Sequence, residues 1–348
     1  MTPGALARLV SAVQRNCDLA DAQHAREKSL CTYLLGMREY FRWFEQLPLG
    51  AVPDKERLSR WIAQREQAWD ELRDGGAEFA RLPLDEEIEP FDDERANRSL
   101  AAHGLVYGAG VGLFGAPLFF LATRDAEELR DGARVIIADR ELARGCVAAP
   151  AASRQGTVIV RLDALRRWLW TRAEASQRNA HERTFAAAMS AYAKSGDAAD
   201  TVERMARGES ETLVLHELGE LRATPLLGTQ WEEMLEAIDD RRAELTLRAL
   251  RDLLADCLVT LPQLVARDAH ASLLFWFATF DGLRRALAPS IVDAYRIDEG
   301  RVDAVALAHA TQAVGEEALA TALDLCVAWR DGGAAAVIES TRRLAPAH

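Results

Sequence analysis

Apolar side chains recur every three or four residues over most of this chain, the spacing that places them on one face of an α-helix. The pattern predicts helix over residues 5–47, where Met37 and Phe41 share a face, until Pro48 interrupts it. The same pattern predicts further helices at about 54–73, near 93–103 and from Leu162 onward.

The pattern changes between about 104 and 161, where short β-branched runs predict strands. These runs are ARVIIAD (133–139) and TVIVR (157–161), with LVY and LFFLA before them as further candidates, although LFFLA is equally compatible with a helix. The expected fold is therefore mainly α, a multi-helix architecture with a small β-containing insert near residues 104–161. We place a domain boundary near 172. It separates an N-terminal helical region with the β segment (1–172) from a C-terminal helical domain (173–348).

The glycine-rich stretch inside the insert allows two other interpretations. Residues 104–123 carry no charge and are long enough to span a bilayer, but five glycines and a proline favour strands and tight turns instead. Gly110, Gly112 and Gly115 also match GxGxxG, with Asp139 at the spacing of a dinucleotide-binding acid. Pro117 interrupts the helix which that motif requires, so we expect turns in a small sheet.

Thr229-Gln230-Trp231-Glu232 has the spacing of a capping box. In that motif the hydroxyl of the first residue accepts a hydrogen bond from the backbone of a new helix. The sequence therefore predicts that Thr229 caps the helix that follows it.

Composition narrows the classes of function. The chain has 49% hydrophobic and 28% charged residues, as globular proteins do, and its formal charge of −12 opposes nonspecific binding of nucleic acid. Its five cysteines are scattered and form no CxxC, which favours reduced thiols. The N-terminal MTPGALARLVSAVQRN lacks the order of a secretory signal. We therefore expect a cytoplasmic protein with no nucleic-acid or membrane partner.

Candidate chemistry is concentrated in ETLVLHELGELR (211–222). This segment differs by one residue from the HExxH motif of zinc hydrolases, because Glu220 stands where the second histidine would be. On a helix, His216 and Glu220 are i,i+4 neighbours that can reach one ion. Glu217 would then be the general base or a further ligand. A histidine with carboxylates suits a divalent metal such as Zn, Fe or Mn, so both hydrolase chemistry with zinc and oxidase chemistry with iron are possible.

Further metal ligands would have to come from other helices. Asp252 and Asp256 lie i,i+4 on the face opposite a leucine stripe, so they face either solvent or a second interface. His181 lies at the start of another predicted helix, and Asp21 with His24 forms an i,i+3 pair. The predicted metal set is His216, Glu220, Asp252, Asp256 and His181, with Glu217 as the catalytic residue.

A non-enzymatic interpretation stays open. HELGE could be the polar face of a helix in an interaction or scaffold protein, where a His–Glu contact contributes only a few tenths of a kcal/mol. Gly219 is unfavourable in a helix by about 1 kcal/mol relative to Ala, and such a glycine often marks the close approach of another group. The sequence does not decide between enzyme and scaffold, nor does it identify a small-molecule substrate or a homo-oligomer.

Several stretches together resemble a family of uncharacterised bacterial proteins that share a domain of unknown function. They are CTYLLGMREYFRW (31–43), the glycine-rich stretch into PLFFL (108–121), ELARG (141–145), AAPAA (148–152), ALRRWLW (164–170), HELGE (216–220), RDLLAD (251–256) and SLLFWFATFDGLRRAL (272–287). In the family pattern a lysine precedes the MRE triplet, and this chain has Gly36 at that position. The resemblance implies that HELGE belongs to a shared pattern, and it implies no activity.

Overall fold

The computed structural model describes residues 1–25, 30–176, 183–194, 196–280, 282–296 and 301–344. Helices dominate it, and a five-stranded sheet is inserted in the first half. The mainly α prediction is therefore confirmed, although the sheet makes all-α too strong a description. The chain divides into two units. Unit 1 comprises Met1–Glu128, Ile136–Pro150 and Arg161–Trp170, and unit 2 comprises Leu129–Val135, Ala151–Val160 and the chain from Thr171.

The helices of unit 1 follow from the spacing of their apolar residues. Trp61 and Trp69 are buried with Met37, Tyr40 and Phe41 in one aromatic-rich cluster. Burial of such side chains is the main stabilising contribution here, about 1.5–3 kcal/mol for each one fully buried. The elements are α1 (Pro3–His24), α2 (Leu30–Phe44), α3 (Lys55–Asp74), the short antiparallel pair β1 (Leu82–Pro83) and β2 (Glu87–Ile88), and α4 (Asp93–Leu100).

The sheet has five strands, β3 (Leu105–Val111), β4 (Pro117–Arg130), β5 (Ala133–Arg144), β6 (Ala151–Arg154) and β7 (Thr157–Arg161), in the spatial order β3-β4-β5-β7-β6. Two tight turns carry positive φ at both central residues, Asp131-Gly132 and Gln155-Gly156, as two-residue hairpins require. All four predicted strand segments are confirmed.

The GxGxxG stretch connects two antiparallel strands and lacks the strand–turn–helix geometry of a dinucleotide-binding motif. Gly110 lies in β3, and the chain turns through Leu113–Gly115 directly into β4, with the register Val111↔Pro117. No helix follows the glycines, and the Asp139 carboxylate accepts a hydrogen bond from Arg166 at 2.7 Å. The prediction of glycines that permit tight turns is confirmed.

Unit 2 is built around two helices that pack against one another, α7 (Ala198–Leu227) and α9 (Arg241–Ala255). The helix α9 also packs on α14 (Ala304–Leu344). The helix α6 (Arg183–Tyr192) packs on α11 (His270–Thr279), whose LLFWF run is buried. The helix α5 (Leu162–Ser176) enters unit 2 at Thr171. The other described helices of unit 2 are α8 (Thr229–Ala237), α10 (Leu261–Ala266), α12 (Gly282–Leu287) and α13 (Pro289–Asp293). A two-stranded pair, β8 (Tyr295–Arg296) and β9 (Arg301–Val302), precedes α14.

The predicted capping box is wrong. The helix α7 runs to Leu227 and α8 begins at Thr229, so Gly228 alone connects them and holds the N-cap position with no side-chain cap. Its φ of 74° is favourable for glycine. Within the described ranges, no helix has the length and apolar character needed to cross a bilayer.

Candidate metal centre

HELGE lies in the C-terminal half of α7, a 30-residue helix. Val214, Leu215 and Leu218 are buried on one side. His216 and Glu220 lie on the other side and are only 20% and 14% exposed, because α9 packs there. The polar face of α7 is thus a helix–helix interface inside unit 2 rather than a solvated surface.

Gly219 sets the distance between the two helices. A Cβ atom at this position would overlap the backbone carbonyl of Ala255, at the end of α9. Only glycine permits this approach. The contact explains why a residue with poor helix propensity stands in the middle of α7, and it brings the C-terminal end of α9 against HELGE.

A π-helical turn, Asp256–Thr260, follows α9 at this contact. Such turns insert one residue into the helical repeat and are frequent at functional sites. Asp256 is its first residue and is only 1% exposed. The turn therefore places a carboxylate in the interior of unit 2, against α7.

His216 is held between two groups of carboxylates. Its Nδ1 lies 2.8 Å from Oδ1 of Asp256, while its Nε2 lies 3.8 Å from Oε1 of Glu220. Ligand atoms of His216, Glu220 and Asp252 all lie within 4.8 Å of one another. Nδ1 of the imidazole is thus bonded to Asp256, and Nε2 faces Glu220, with Asp252 nearby.

The pair formed by His216 and Asp256 is charged. Burial opposes the imidazolium, but Asp256 most strongly, then Asp252 and Glu220, raise the pKa of His216 to about 10. Burial also opposes ionisation of Asp256, yet the facing imidazolium and Arg284 hold the pKa of its carboxyl below the ordinary value. Both effects favour the ion pair.

The two remaining acids are harder to ionise. Burial, and then the charge of Glu220, raise the pKa of Glu217 to about 7. Burial raises the pKa of Asp252 to about 6, although His216 opposes the shift. The Oε2 atom of Glu217 is buried and has no hydrogen-bond partner among the described residues. An unpartnered buried oxygen is costly unless something else satisfies it.

Sequence reasoning missed the arginines and the serine that complete this cluster. Arg251 donates to Glu220 at 2.7 Å, Arg284 donates to Asp256 at 3.3 Å, and the Ser153 hydroxyl donates to Glu220 at 3.4 Å. Arg251 directly precedes Asp252 in RDLLAD, so the sequence did indicate that Arg251 lies near this cluster. Nothing in the sequence connects Arg284 or Ser153 with HELGE.

The predicted ligands fall into four groups. His216, Glu220 and Asp252 are brought together, with Glu217 beside them. Asp256 bonds Nδ1 of His216 and is not part of the converging set. His181 is outside the described residues. The Asp21 carboxylate belongs to unit 1, where it accepts the backbone N–H of Cys146 at 2.8 Å.

Comparison with known proteins identifies a family and no activity. Residues 8–161 match the N-terminal domain of a family of unknown function, DUF6866, and residues 166–346 match its C-terminal domain. No curated protein and no solved structure matches the chain. The two domain matches cover nearly the whole sequence and confirm the resemblance to a domain of unknown function. The chain therefore belongs to the DUF6866 family.

Proposed function

We propose that unit 2 binds one divalent metal ion through Nε2 of His216 and carboxylate oxygens of Glu220 and Asp252. The observation that carries the proposal is that one ligand atom from each of these three residues lies within 4.8 Å of the others, and that Nε2 of His216 faces Glu220 while Asp256 bonds Nδ1. Metal-binding histidines characteristically donate their second N–H to a carboxylate, which fixes the ring and its tautomer.

The residues fit a metal ion with a small adjustment. Zinc–ligand distances of about 2.0–2.2 Å place neighbouring ligand atoms about 3–3.5 Å apart, so the three side chains would close by about 1 Å. One imidazole with two carboxylates suits Zn, Fe or Mn. Arg251 donates to Oε1 of Glu220, the oxygen that faces Nε2 of His216, so Arg251 would shift to Oε2 or move aside when Oε1 binds the ion.

Asp256 has an orienting role in this proposal. Its two oxygens are engaged by His216 and Arg284, at 2.8 Å and 3.3 Å. Removal of its charge would free the imidazole to rotate and would weaken the site without removing a ligand. Glu220 and Asp252, in contrast, supply donor atoms directly.

Glu217 favours hydrolysis over oxidation as the reaction class. A bound ion of this type would supply Lewis-acid polarisation of a carbonyl or phosphoryl group. Glu217 would accept a proton from the attacking water and return it to the leaving group. Its buried, unpartnered Oε2 supports this role because that oxygen is free to take a proton.

Elemental analysis of purified and chelator-stripped protein, reconstituted separately with Zn, Mn and Fe(II), tests the proposal. We expect one ion per chain in the wild type, and its loss in His216→Gln, Glu220→Gln and Asp252→Asn. Glu203→Gln, an exposed charge change on the same helix, is the matched control and should retain the metal. Wild-type protein that stays metal-free with all three ions would contradict the proposal.

The alternative is a structural polar network in a non-enzymatic interaction protein. The observation in its favour is that Arg251 and Arg284 already pair with Glu220 and Asp256. This alternative predicts that the protein binds no metal ion and that Arg251→Gln destabilises unit 2. Under the metal proposal Arg251→Gln would instead leave the stoichiometry at one ion. Glu217→Gln separates the two roles considered for Glu217. If Glu217 is the general base, the variant retains the metal, and if Glu217 is a ligand, the variant loses metal.

A further inference from the structure

Unit 1 contains a second place where separate parts of the chain meet around charged groups, and it is independent of the metal proposal. A cavity of about 630 Å³ lies there, within the range of small-molecule sites. Its walls come from α1, from the end of α2, from the second half of β5 and from the first two turns of α5. The last three of these overlap stretches that carry the family resemblance, MREYFRW, ELARG and ALRRWLW.

A buried ion cluster fixes the floor of the cavity. The side chain of Glu141 is fully buried, and it accepts hydrogen bonds from Arg161 at 2.7 Å and from Arg144 at 3.1 Å. Two arginines neutralise this single carboxylate. Burial alone would raise the pKa of Glu141, but the arginines hold it below the ordinary value. Glu141 therefore contributes no free negative charge to the cavity.

Three further arginines line the cavity. Arg166 donates to Asp139 at 2.7 Å, and Arg167 donates to Asp163 at 3.1 Å. The side chain of Arg140 is at the exposed edge of the cavity, and among the described residues its guanidinium has no carboxylate partner. Arg140, Arg166 and Arg167 line the cavity with Glu141 and Asp163. Arg144, Arg161 and Asp139 lie behind this lining and bond to it, so the arginines outnumber the acids both on the walls and in the whole cluster.

The excess of arginine is notable in a protein of net charge −12. A cavity with positively charged walls concentrates anions, and the planar guanidinium groups match carboxylate and phosphate oxygens in geometry. Arginine binds such oxygens through charge-assisted hydrogen bonds, which are about twice as strong as neutral ones. The charge on these walls therefore selects for an anion.

The remaining wall is aromatic. Trp43 stacks on Tyr40, with ring centroids 5.7 Å apart and planes inclined by 13°, so its position is fixed. Phe44 beside it is 44% exposed. Gln14, held by hydrogen bonds to Tyr40 and to the carbonyl of Arg144, supplies a neutral polar group to the same cavity. An apolar ring on the ligand would be buried against this wall.

We propose that this cavity binds a small organic anion with a planar apolar group, its carboxylate or phosphate held by Arg140, Arg166 and Arg167 and its ring packed on Trp43 and Phe44. No residue of unit 2 takes part. Loss of the metal site by mutation would leave this binding unchanged, so the two proposals succeed or fail separately.

Isothermal titration calorimetry on the full chain tests the inference with four probes: phenyl phosphate, benzoate, inorganic phosphate and benzyl alcohol. We expect saturable binding of one molecule of phenyl phosphate or benzoate per chain. Which of the two binds identifies the acid group. Arg140→Gln and Arg166→Gln should each weaken binding about tenfold or more, since each removes a charged hydrogen-bond donor.

Arg98→Gln is the matched control, an exposed arginine of unit 1 away from the cavity, and should change affinity less than about twofold. Phenyl phosphate should bind about tenfold more tightly than inorganic phosphate, and Phe44→Ala should reduce that advantage. Absence of saturable binding by both aromatic anions would overturn the proposal, as would equal weakening by Arg98→Gln and Arg140→Gln. Inorganic phosphate that binds as tightly as phenyl phosphate would refute the aromatic contact.

Discussion

Nδ1 of His216 lies 2.8 Å from Oδ1 of Asp256, and this contact joins the middle of α7 to the first residue of a π-helical turn. The two residues are 40 positions apart in the chain. Asp256 is 1% exposed, so the carboxylate depends on this imidazole and on Arg284 for compensation of its charge. The contact is the structural centre of the proposed site.

We expect Asp256→Asn to destabilise metal-stripped protein by about 3–5 kcal/mol near pH 6, as loss of one partner from a buried ion pair does. The pKa of His216 is raised from 6.5 to about 10, so its contribution is complete below pH 6.5 and is lost as pH rises toward 10. Asp256 has a lowered pKa, so its contribution is lost only as pH falls below its ordinary range. Urea unfolding from pH 5 to 10 measures the difference.

The destabilisation by Asp256→Asn should therefore be largest at about pH 5–6 and shrink at alkaline pH. Glu203→Gln removes an exposed pair with Arg207 and should change stability by less than about 1 kcal/mol at every pH. A difference that grows between pH 7 and 10 would show that the imidazole is not charged in the folded protein.

Metal affinity should increase as pH rises, whereas the destabilisation by Asp256→Asn should decrease. His216 binds a metal only as the neutral imidazole, and in metal-stripped protein its pKa is about 10. A proton must therefore leave as the ion binds. We expect the apparent affinity for Zn or Mn to increase by about tenfold per pH unit from pH 7 to 9, provided that only this proton is exchanged.

Calorimetry in two buffers of different ionisation enthalpy measures the released protons directly, and the expected value at pH 7.5 is about one. Asp256→Asn removes the strongest influence that raises the pKa of His216. In this variant the proton release should fall and the pH dependence should flatten. Metal binding without proton release in the wild type would contradict ligation by His216.

Glu217→Gln should make the protein more stable at pH 8 and have little effect near pH 4.5. The pKa of the Glu217 carboxyl is raised from 4.5 to about 7 by burial and by Glu220, so the folded protein holds this proton more tightly than the unfolded chain. The wild type therefore loses stability as pH rises through this interval, and a neutral amide does not. The gain at pH 8 should be about 1–3 kcal/mol.

The measurement is the difference in unfolding free energy between Glu217→Gln and wild type across the pH range, in metal-stripped protein. Any constant effect of the amide cancels in this comparison. A difference that is independent of pH between 4.5 and 8 would show that Glu217 ionises normally.

The sequence predicted the elements better than their contacts. Hydrophobic spacing located the helices, and ARVIIAD and TVIVR located two strands, because these patterns depend on local burial periodicity. Asp252 and Asp256 were ambiguous, since the i,i+4 spacing is identical on a solvated face and at an interface. Only the packing of α9 on α7 decides between them. The π turn that positions Asp256 has no sequence signature, and neither has Arg284.

The capping box failed for a related reason. Thr229 and Glu232 have the required spacing, but the chain leaves a single residue, Gly228, between α7 and α8. A local motif cannot show how closely the preceding helix approaches. Gly219 is the opposite case, because its unfavourable propensity in the middle of a helix did indicate a close neighbour, which the backbone of Ala255 supplies.

Substitution of two helical glycines by alanine should have opposite effects. Gly36 in α2 has no atom within 4 Å of the position of a new Cβ, so Gly36→Ala should stabilise the protein by about 0.5–1 kcal/mol through helix propensity. Gly219→Ala gains the same propensity but forces the new methyl group into the carbonyl of Ala255. Overpacking of this kind costs about 1–3 kcal/mol, so the net effect should be destabilising.

Urea unfolding of both variants measures the two effects, and metal titration of Gly219→Ala extends the test to function. A forced separation of α7 from the π turn would move Asp256 away from His216, so metal affinity should fall although no ligand has been changed. Gly36→Ala lies in unit 1 and should leave metal affinity as it is. A Gly219→Ala variant as stable as Gly36→Ala, with unchanged metal affinity, would mean that the close contact of α7 with Ala255 does not support the site.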